Sequence, residues 1–232
     1  MNNIIIIPGS FKPPHKGHLS LIERLIEQNN SSKIIVIISK KMRPLDKRFS
    51  PYITISTEEL RSALIEYFPL NKNQIEKLNK GEIKKEINRL LENKKLKSIT
   101  YKESLLIWNI YLKYLKKKYD SIPIPEIIFH VAPTNNIIQE TTKVMLKMFQ
   151  EHKKIILMKS AKNKDNKRFD FIEKRFGKYI KIKLFPNIKN IDATDMRVSI
   201  LKNDYEKFEM YLPDDLKTSD KKKIWKICKS TE

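Results

Sequence analysis

Four isoleucines in a row, Ile4 to Ile7, run straight into Pro8-Gly9-Ser10-Phe11-Lys12-Pro13-Pro14-His15-Lys16-Gly17-His18. A short apolar run bounded by turn residues is what a strand buried on both faces requires, as in a parallel sheet. Just beyond, Leu21, Ile22, Leu25 and Ile26 recur at helical spacing, so residues 19–26 predict an amphipathic helix. The opening unit is therefore strand, loop, helix, with two histidines three residues apart where the helix begins. A helix N-terminus carries unpaired N–H groups and the positive end of the helix dipole, so it favours phosphate. Gly17 lets a ligand approach the backbone closely, and the His15 and His18 imidazoles can donate hydrogen bonds to phosphoryl oxygens; the plainer alternative is that the two histidines only cap the helix.

The same alternation continues down the chain. Residues 33–39 read as a second buried strand, which makes 3–39 a βαβ opening. A basic loop (Lys40, Lys41, Met42, Arg43, Pro44) follows. Ser56 or Thr57 then caps a helix through Leu60, Ala63 and Leu64, which Pro69 ends. Residues 70–98 are rich in Lys, Asn and Glu, with Ile83, Ile87, Leu90 and Leu91 at helical spacing, and read as exposed amphipathic helices inserted on a core fold. The next helix, 103–118, carries Leu105, Trp108, Leu112 and Leu115 on one face, and its aromatics read as packing rather than base-stacking surfaces. Strands at 126–131, 154–158 and 180–185 alternate with helices at 137–149 and 166–176, the pattern of an open parallel sheet. Helical pieces at 205–212 and 217–232 follow, the last docked by Ile224, Trp225 and Ile227. The expected fold is thus α/β, a Rossmann-like five-stranded parallel sheet of order 3-2-1-4-5 with helices on both faces. It forms one domain over 1–232, with a helical insertion at about 70–120 and a helical tail at about 198–232.

Composition narrows the classes. With 48 Lys+Arg against 27 Asp+Glu the chain carries +21, a field suited to polyanions. Much of that charge is lysine mixed with Asn and Ile, a bias an AT-rich coding sequence also produces. No nucleic-acid-binding motif accompanies it, so nucleic acid is a possible but not a favoured partner. One cysteine, Cys228, excludes an internal disulfide and a cysteine-based zinc site. No apolar run approaches the roughly 18 residues needed to span a bilayer, and the N-terminus lacks the features of a secretory leader. A cytoplasmic protein with no membrane partner is expected, and a homo-oligomer is possible. His130 falls inside a strand and His152 in a polar loop; neither has neighbours at metal-ligand spacing, so both read as structural.

The loop resembles the signature of the HIGH-type nucleotidyltransferase superfamily, which includes nicotinamide mononucleotide adenylyltransferases, phosphopantetheine adenylyltransferase and the cytidylyltransferases. Its pattern is met by Gly9, Ser10, Phe11, Pro13, His15, Gly17 and His18. A second family element is matched about 180 residues later by Ile191, Thr194 and Arg197, with Asp192 standing where relatives carry serine. Ser104, Trp108, Tyr111 and Leu112 also resemble a segment of phage-type members. The resemblance implies transfer of a nucleoside monophosphate from ATP or CTP to a phosphorylated small-molecule acceptor, with Mg2+ bridging phosphate oxygens. Nicotinamide mononucleotide with ATP is the first pair suggested, a phospho-alcohol with CTP the second. Class I aminoacyl-tRNA synthetases share the fold, but their lysine-bearing loop is missing at 192–197 and the chain is short for one. A non-catalytic polyanion-binding protein on the same fold is the alternative from another class.

The resemblance also implies roles. In a parallel sheet ligands bind at the carboxyl ends of the strands, so the two motif loops should meet over one polyphosphate. His15 and His18 would bind the α- and β-phosphates and stabilise the transition state, with Gly9, Ser10, Phe11 and Gly17 of the same loop binding the nucleotide. Thr194 and its helix would hold the β- and γ-phosphates, with Arg197 as a bidentate clamp. Lys12 is either a cation for the acceptor's phosphate or a solvated loop lysine. Lys40 or Lys41 could reach a phosphate from the loop after strand two, and Asp165 and Arg168 could contact the nucleotide after strand four. Asp192 either faces the phosphates, adding repulsion, or turns away as the N-cap of the following helix.

Overall fold

The computed structural model describes residues 3–50, 54–134, 136–151, 154–160, 169–185 and 191–230. Five strands form one parallel sheet: β1 (Asn3–Gly9), β2 (Ser31–Ile38), β3 (Glu126–Val131), β4 (Lys154–Ser160) and β5 (Lys181–Phe185). Their order is β3-β2-β1-β4-β5, every neighbouring pair parallel. That is the 3-2-1-4-5 order expected from the sequence.

Both faces of the central strands are covered, which is why they read as unbroken apolar runs. Ile5, Ile7, Ile34, Val36 and Ile38 point into one core with helices α1 (Lys16–Glu27), α4 (Tyr101–Lys118), α7 (Ala193–Leu201), α8 (Tyr205–Glu209) and α9 (Thr218–Lys229). Ile4, Ile6, Ile35 and Ile37 point the other way, into a core with α5 (Ile137–Gln150) and α6 (Asp170–Phe176). Helix α4 starts two residues earlier than the hydrophobic pattern indicates, because Thr100 caps it and Glu103 reaches back to the Thr100 amide in a reciprocal box. The segment expected to form a helix from residue 166 is helical from Asp170, and residues 161–168 lie outside the described set.

A third apolar cluster stands apart from the sheet. Helices α2 (Thr57–Tyr67) and α3 (Lys80–Glu92) enclose Phe49, Leu60, Leu64, Ile75, Ile83, Ile87, Leu90 and Leu91. The inserted helices are thus amphipathic, as their spacing indicates, and close a small core of their own. Helix α4, read from the sequence as part of the same insertion, packs instead with the sheet. Ser56 is the N-cap of α2 and Asn79 of α3, each in a reciprocal box with a glutamate. Arg48 bridges Asp46 and Glu66, tying the cluster's two sides together.

Ile83 has no exposure to solvent. Truncation to alanine should cost about 2–5 kcal/mol, the range for deleting a large buried side chain. Urea unfolding checks this, and hydrogen exchange should show the loss concentrated in α2 and α3 while amides of β1 and β2 keep their protection.

Candidate active site

The two motif loops meet at the carboxyl ends of the strands. Strand β1 ends at Gly9, whose carbonyl accepts from the Ser39 amide at the end of β2; the Ile38 carbonyl accepts from Ala132 after β3. On the other side, Arg197 Nη1 donates to the Lys12 carbonyl at 2.8 Å, and a Cβ placed on Gly17 would lie 3.6 Å from Ile191. The segment carrying His15, Gly17 and His18 and the segment carrying Ile191, Thr194 and Arg197 are therefore held against each other.

His15 is the N-cap of α1, and it caps with its ring. Its Nδ1 accepts from the Gly17 amide at 3.2 Å, while His18 Nδ1 accepts from the His15 amide at 3.2 Å. This is the reciprocal arrangement that Ser and Glu make elsewhere in the chain, built here from two imidazoles. The rings stack, centroids 3.7 Å apart. Because each Nδ1 accepts, the proton of each neutral ring sits on Nε2, which makes Nε2 the donor.

The first-turn amides of α1, expected to lie open for phosphate, are used within the protein. Lys16 N–H donates to the Tyr211 carbonyl, Gly17 N–H to the His15 ring and His18 N–H to the His15 carbonyl. His15 adjoins the helix, and its cap is the plainer of the two readings of the histidine pair; the Tyr211 carbonyl comes from a distant position that spacing alone does not connect to this helix end. Lys16 also pairs with Asp214 at 3.2 Å.

Phe11 stands at φ 51°, in the left-handed region that bulky residues rarely enter. Its ring lies across Gly9, where a Cβ would fall 2.5 Å from the ring, and meets the edge of His18 with centroids 4.9 Å apart. The absence of a side chain at Gly9 leaves the space that the Phe11 ring fills. At Gly17 a Cβ would lie 3.1 Å from the His15 ring, so that glycine makes room first for the histidine cap.

The long cations stand differently from the sequence expectation. Lys12 is 1% exposed, and its Nζ donates to the Lys41 carbonyl at 2.6 Å and to the Ser39 carbonyl. It is neither solvated nor aimed outward; it pins the loop after β1 to the loop after β2. Burial, aided by the nearby Arg43 charge and opposed by Glu103, pulls its ammonium down to about 7. Arg197 is 4% exposed, and its guanidinium donates to the Pro44 carbonyl at 2.9 Å, the Lys12 carbonyl and the Thr194 hydroxyl at 3.1 Å. The expected phosphate clamp is a three-way tie between loops. A long side chain can end anywhere within its reach, so spacing alone does not tell which carbonyl it finds.

Asp192 is the N-cap of α7, its Oδ1 accepting from the Thr194 amide at 2.6 Å. Of the two expectations for Asp192, the structure has the cap. Ser10 accepts from Arg43 Nε at 3.0 Å; Arg43, buried at 4% exposure, lies in a short two-residue strand that pairs antiparallel with Ser98–Ile99, and its place beside the motif is not revealed by spacing. Lys40 is exposed, its Nζ 5.9 Å from the centre of the Tyr101 ring. Asp165, Arg168 and His152 lie outside the described residues. His130 pairs with the buried carboxylate of Glu140 at 2.6 Å, on α5. Among the described residues no group of three or more His, Cys, Asp or Glu side chains is arranged to hold a metal ion, and no helix is long and apolar enough to cross a membrane.

Comparison with known proteins was made on this geometry. No curated protein sequence matches the chain. Among solved structures it is similar to a bifunctional NMN adenylyltransferase/ADP ribose pyrophosphatase from Francisella tularensis, complexed with AMP and a manganese ion. The identity is 14% and the TM-score 0.48, over 99% of this chain and 52% of the other. It is also similar to Thermotoga maritima TmcAL bound with alpha-thio ATP, at 12% identity and TM-score 0.35, over 97% of this chain and 55% of that one. The chain spans about half the length of each. The family model described as cytidylyltransferase-like matches residues 6–137, more than half of the chain and the whole of the loop carrying His15 and His18. The chain belongs to the cytidylyltransferase-like family.

Proposed function

We propose that this protein is a nucleotidyltransferase that moves a nucleoside monophosphate from ATP or CTP to a phosphorylated small molecule and releases pyrophosphate. The observation that carries the reading is that Arg197, bonded to Thr194, ties the second motif to the loop that carries the stacked His15 and His18 rings, at the carboxyl end of β1. An acceptor phosphate oxygen attacks the α-phosphorus, a new P–O bond forms, and the bond to the β-phosphate oxygen breaks. The acceptor phosphate is already anionic at neutral pH, so no covalent enzyme nucleophile is needed. Alignment and charge neutralisation are what the protein must supply.

Within this reading the imidazoles act as donors, through Nε2, to oxygens of the α- and β-phosphates. The Thr194 hydroxyl, which accepts from Arg197, is left to donate its own proton to a phosphate oxygen. Arg197 and Lys12 act as positioning residues, holding the loops that carry the donors and adding positive potential behind them. Lys40, exposed just past the end of β2, is a cation for an incoming phosphate, and Asp165 and Arg168 remain proposed nucleotide contacts. Mg2+ would be carried by the triphosphate and water, since the described residues supply no carboxylate cage. ATP with nicotinamide mononucleotide is the first pair to test, CTP with a phospho-alcohol the second. Pyrophosphate release across four triphosphates and a panel of phosphorylated acceptors tests the reading. Tight, steeply salt-dependent RNA binding with no turnover would favour the polyanion-binding alternative.

Substituting His18 by alanine should lower turnover by roughly a hundred- to a thousandfold, the range for removal of one preorganised donor. Near-wild-type turnover in a folded variant would take His18 out of the mechanism.

Arg197→Lys keeps the charge but not the fork that spans three acceptors, so it should lower both turnover and thermal stability. Loss of two bonds to buried carbonyls predicts a cost of about 1–3 kcal/mol, read from denaturant unfolding.

Lys12 gives a pH signature. Its folded value is about 7 against an ordinary 10.5, so between those values the unfolded chain binds a proton that the folded chain does not. Stability contributed at this site therefore rises with pH across that window and is flat below it. Relative to Lys12→Met, the wild type should gain stability as pH goes from about 7 to 10. A pH-independent difference would contradict the burial of this ammonium.

A further inference from the structure

Helix α4 grips the loop after β1 through two hydroxyls and an indole. Ser104, with no exposure to solvent, has its Oγ 2.7 Å from the Phe11 carbonyl and 3.0 Å from that of Thr100. Two turns further along the same helix face, the fully buried Tyr111 donates from its Oη to the Pro14 carbonyl at 3.3 Å. Burial holds its phenol above the ordinary range, so it stays a donor near neutral pH. Between them the Trp108 ring meets Phe11 edge-on, centroids 5.8 Å apart.

These contacts bear on a residue that has little reason of its own to stand as it does. Phe11 has φ 51°, a conformation bulky residues keep only where the surroundings over-determine it. With that backbone its ring crosses Gly9 and abuts His18 at 4.9 Å with the ring planes 79° apart. His18 is held on its other side by the His15 ring and by the bond from the His15 amide to its Nδ1. For packing alone, alanine at 104 and phenylalanine at 111 would serve as well; what the two oxygens add is a fixed place for the Phe11 and Pro14 carbonyls.

We propose that Ser104 and Tyr111 are positioning residues that act through Phe11: they hold the loop so that the Phe11 ring sets the direction of the His18 imidazole. The inference rests on the nucleotidyltransferase reading for its effect on rate, though not for its effect on the ring. A misplaced donor costs rate steeply while leaving ground-state binding largely alone.

The test uses Ser104→Ala and Tyr111→Phe in the full chain, each alone and in a His18→Ala background. Turnover for pyrophosphate release should fall about tenfold or more in each single variant with KM for the triphosphate within about twofold, and neither change should cost anything further once His18 is gone. In 15N-histidine spectra the His18 imidazole signals should move in both variants while those of His130 stay put. Equal losses with and without His18, or unmoved His18 signals in a folded variant, would overturn the proposal. If Ser104→Ala fails to fold, Tyr111→Phe, which deletes one oxygen, decides. If the wild type releases no pyrophosphate with any pair, the functional reading fails, and the His18 signals alone decide the positioning.

Discussion

A buried guanidinium holds the crevice together. Arg197, on the helix after β5, reaches carbonyls in the loop after β1 and in the loop after β2 at once. A cation with so little exposure is tolerable only where carbonyl and hydroxyl oxygens converge on it, and removing those partners would leave a charge stranded in apolar surroundings. The three segments are therefore not free to separate. Lys12 makes the same connection in the opposite direction, from the first loop to the second, and its own carbonyl is one of the oxygens that Arg197 uses. Two cations close a ring of loops before any phosphate arrives.

That ring explains how a sheet with ordinary packing can present a constrained site. The strands deliver the loops to one end, and both faces of the sheet are filled by apolar side chains that carry no specificity. The directional contacts are concentrated above the strand ends, between segments far apart in sequence: Arg43 to Ser10, Arg197 to Lys12, Ser104 to Phe11, Lys16 to Tyr211. Helix α4 belongs to this upper layer as much as to the core, and the small cluster around Ile83 lies outside it.

Much of the fold was legible because it follows from period and burial. The isoleucine runs marked strands covered on both sides, the five strand positions gave the sheet, and Asp192 was readable as a cap from its place before a helical pattern. What could not be read is where long side chains end. The sequence leaves Lys12 either at a phosphate or in solvent, and the resemblance puts Arg197 on a phosphate, yet both find main-chain carbonyls, which leave no trace in composition. The closed first turn of α1 was hidden for a related reason. The histidine cap itself is the plainer reading of two such residues at a helix start, but nothing near residue 16 in sequence announces the Tyr211 carbonyl. Ser104, Trp108 and Tyr111 could be picked out as a pattern, but the pattern did not say that they face the loop.

The paired histidine cap has a consequence for acid. A cap made by Ser or Glu survives a wide pH range, whereas this one depends on two ring nitrogens that must stay unprotonated to accept. Adding a proton to either Nδ1 turns an acceptor into a donor facing an N–H group, and charging both would set like charges in rings stacked 3.7 Å apart. The same atoms that orient the imidazoles thus tie the integrity of the first turn to their protonation. Protonation at Nδ1 would therefore loosen the start of the helix and the aim of both rings together.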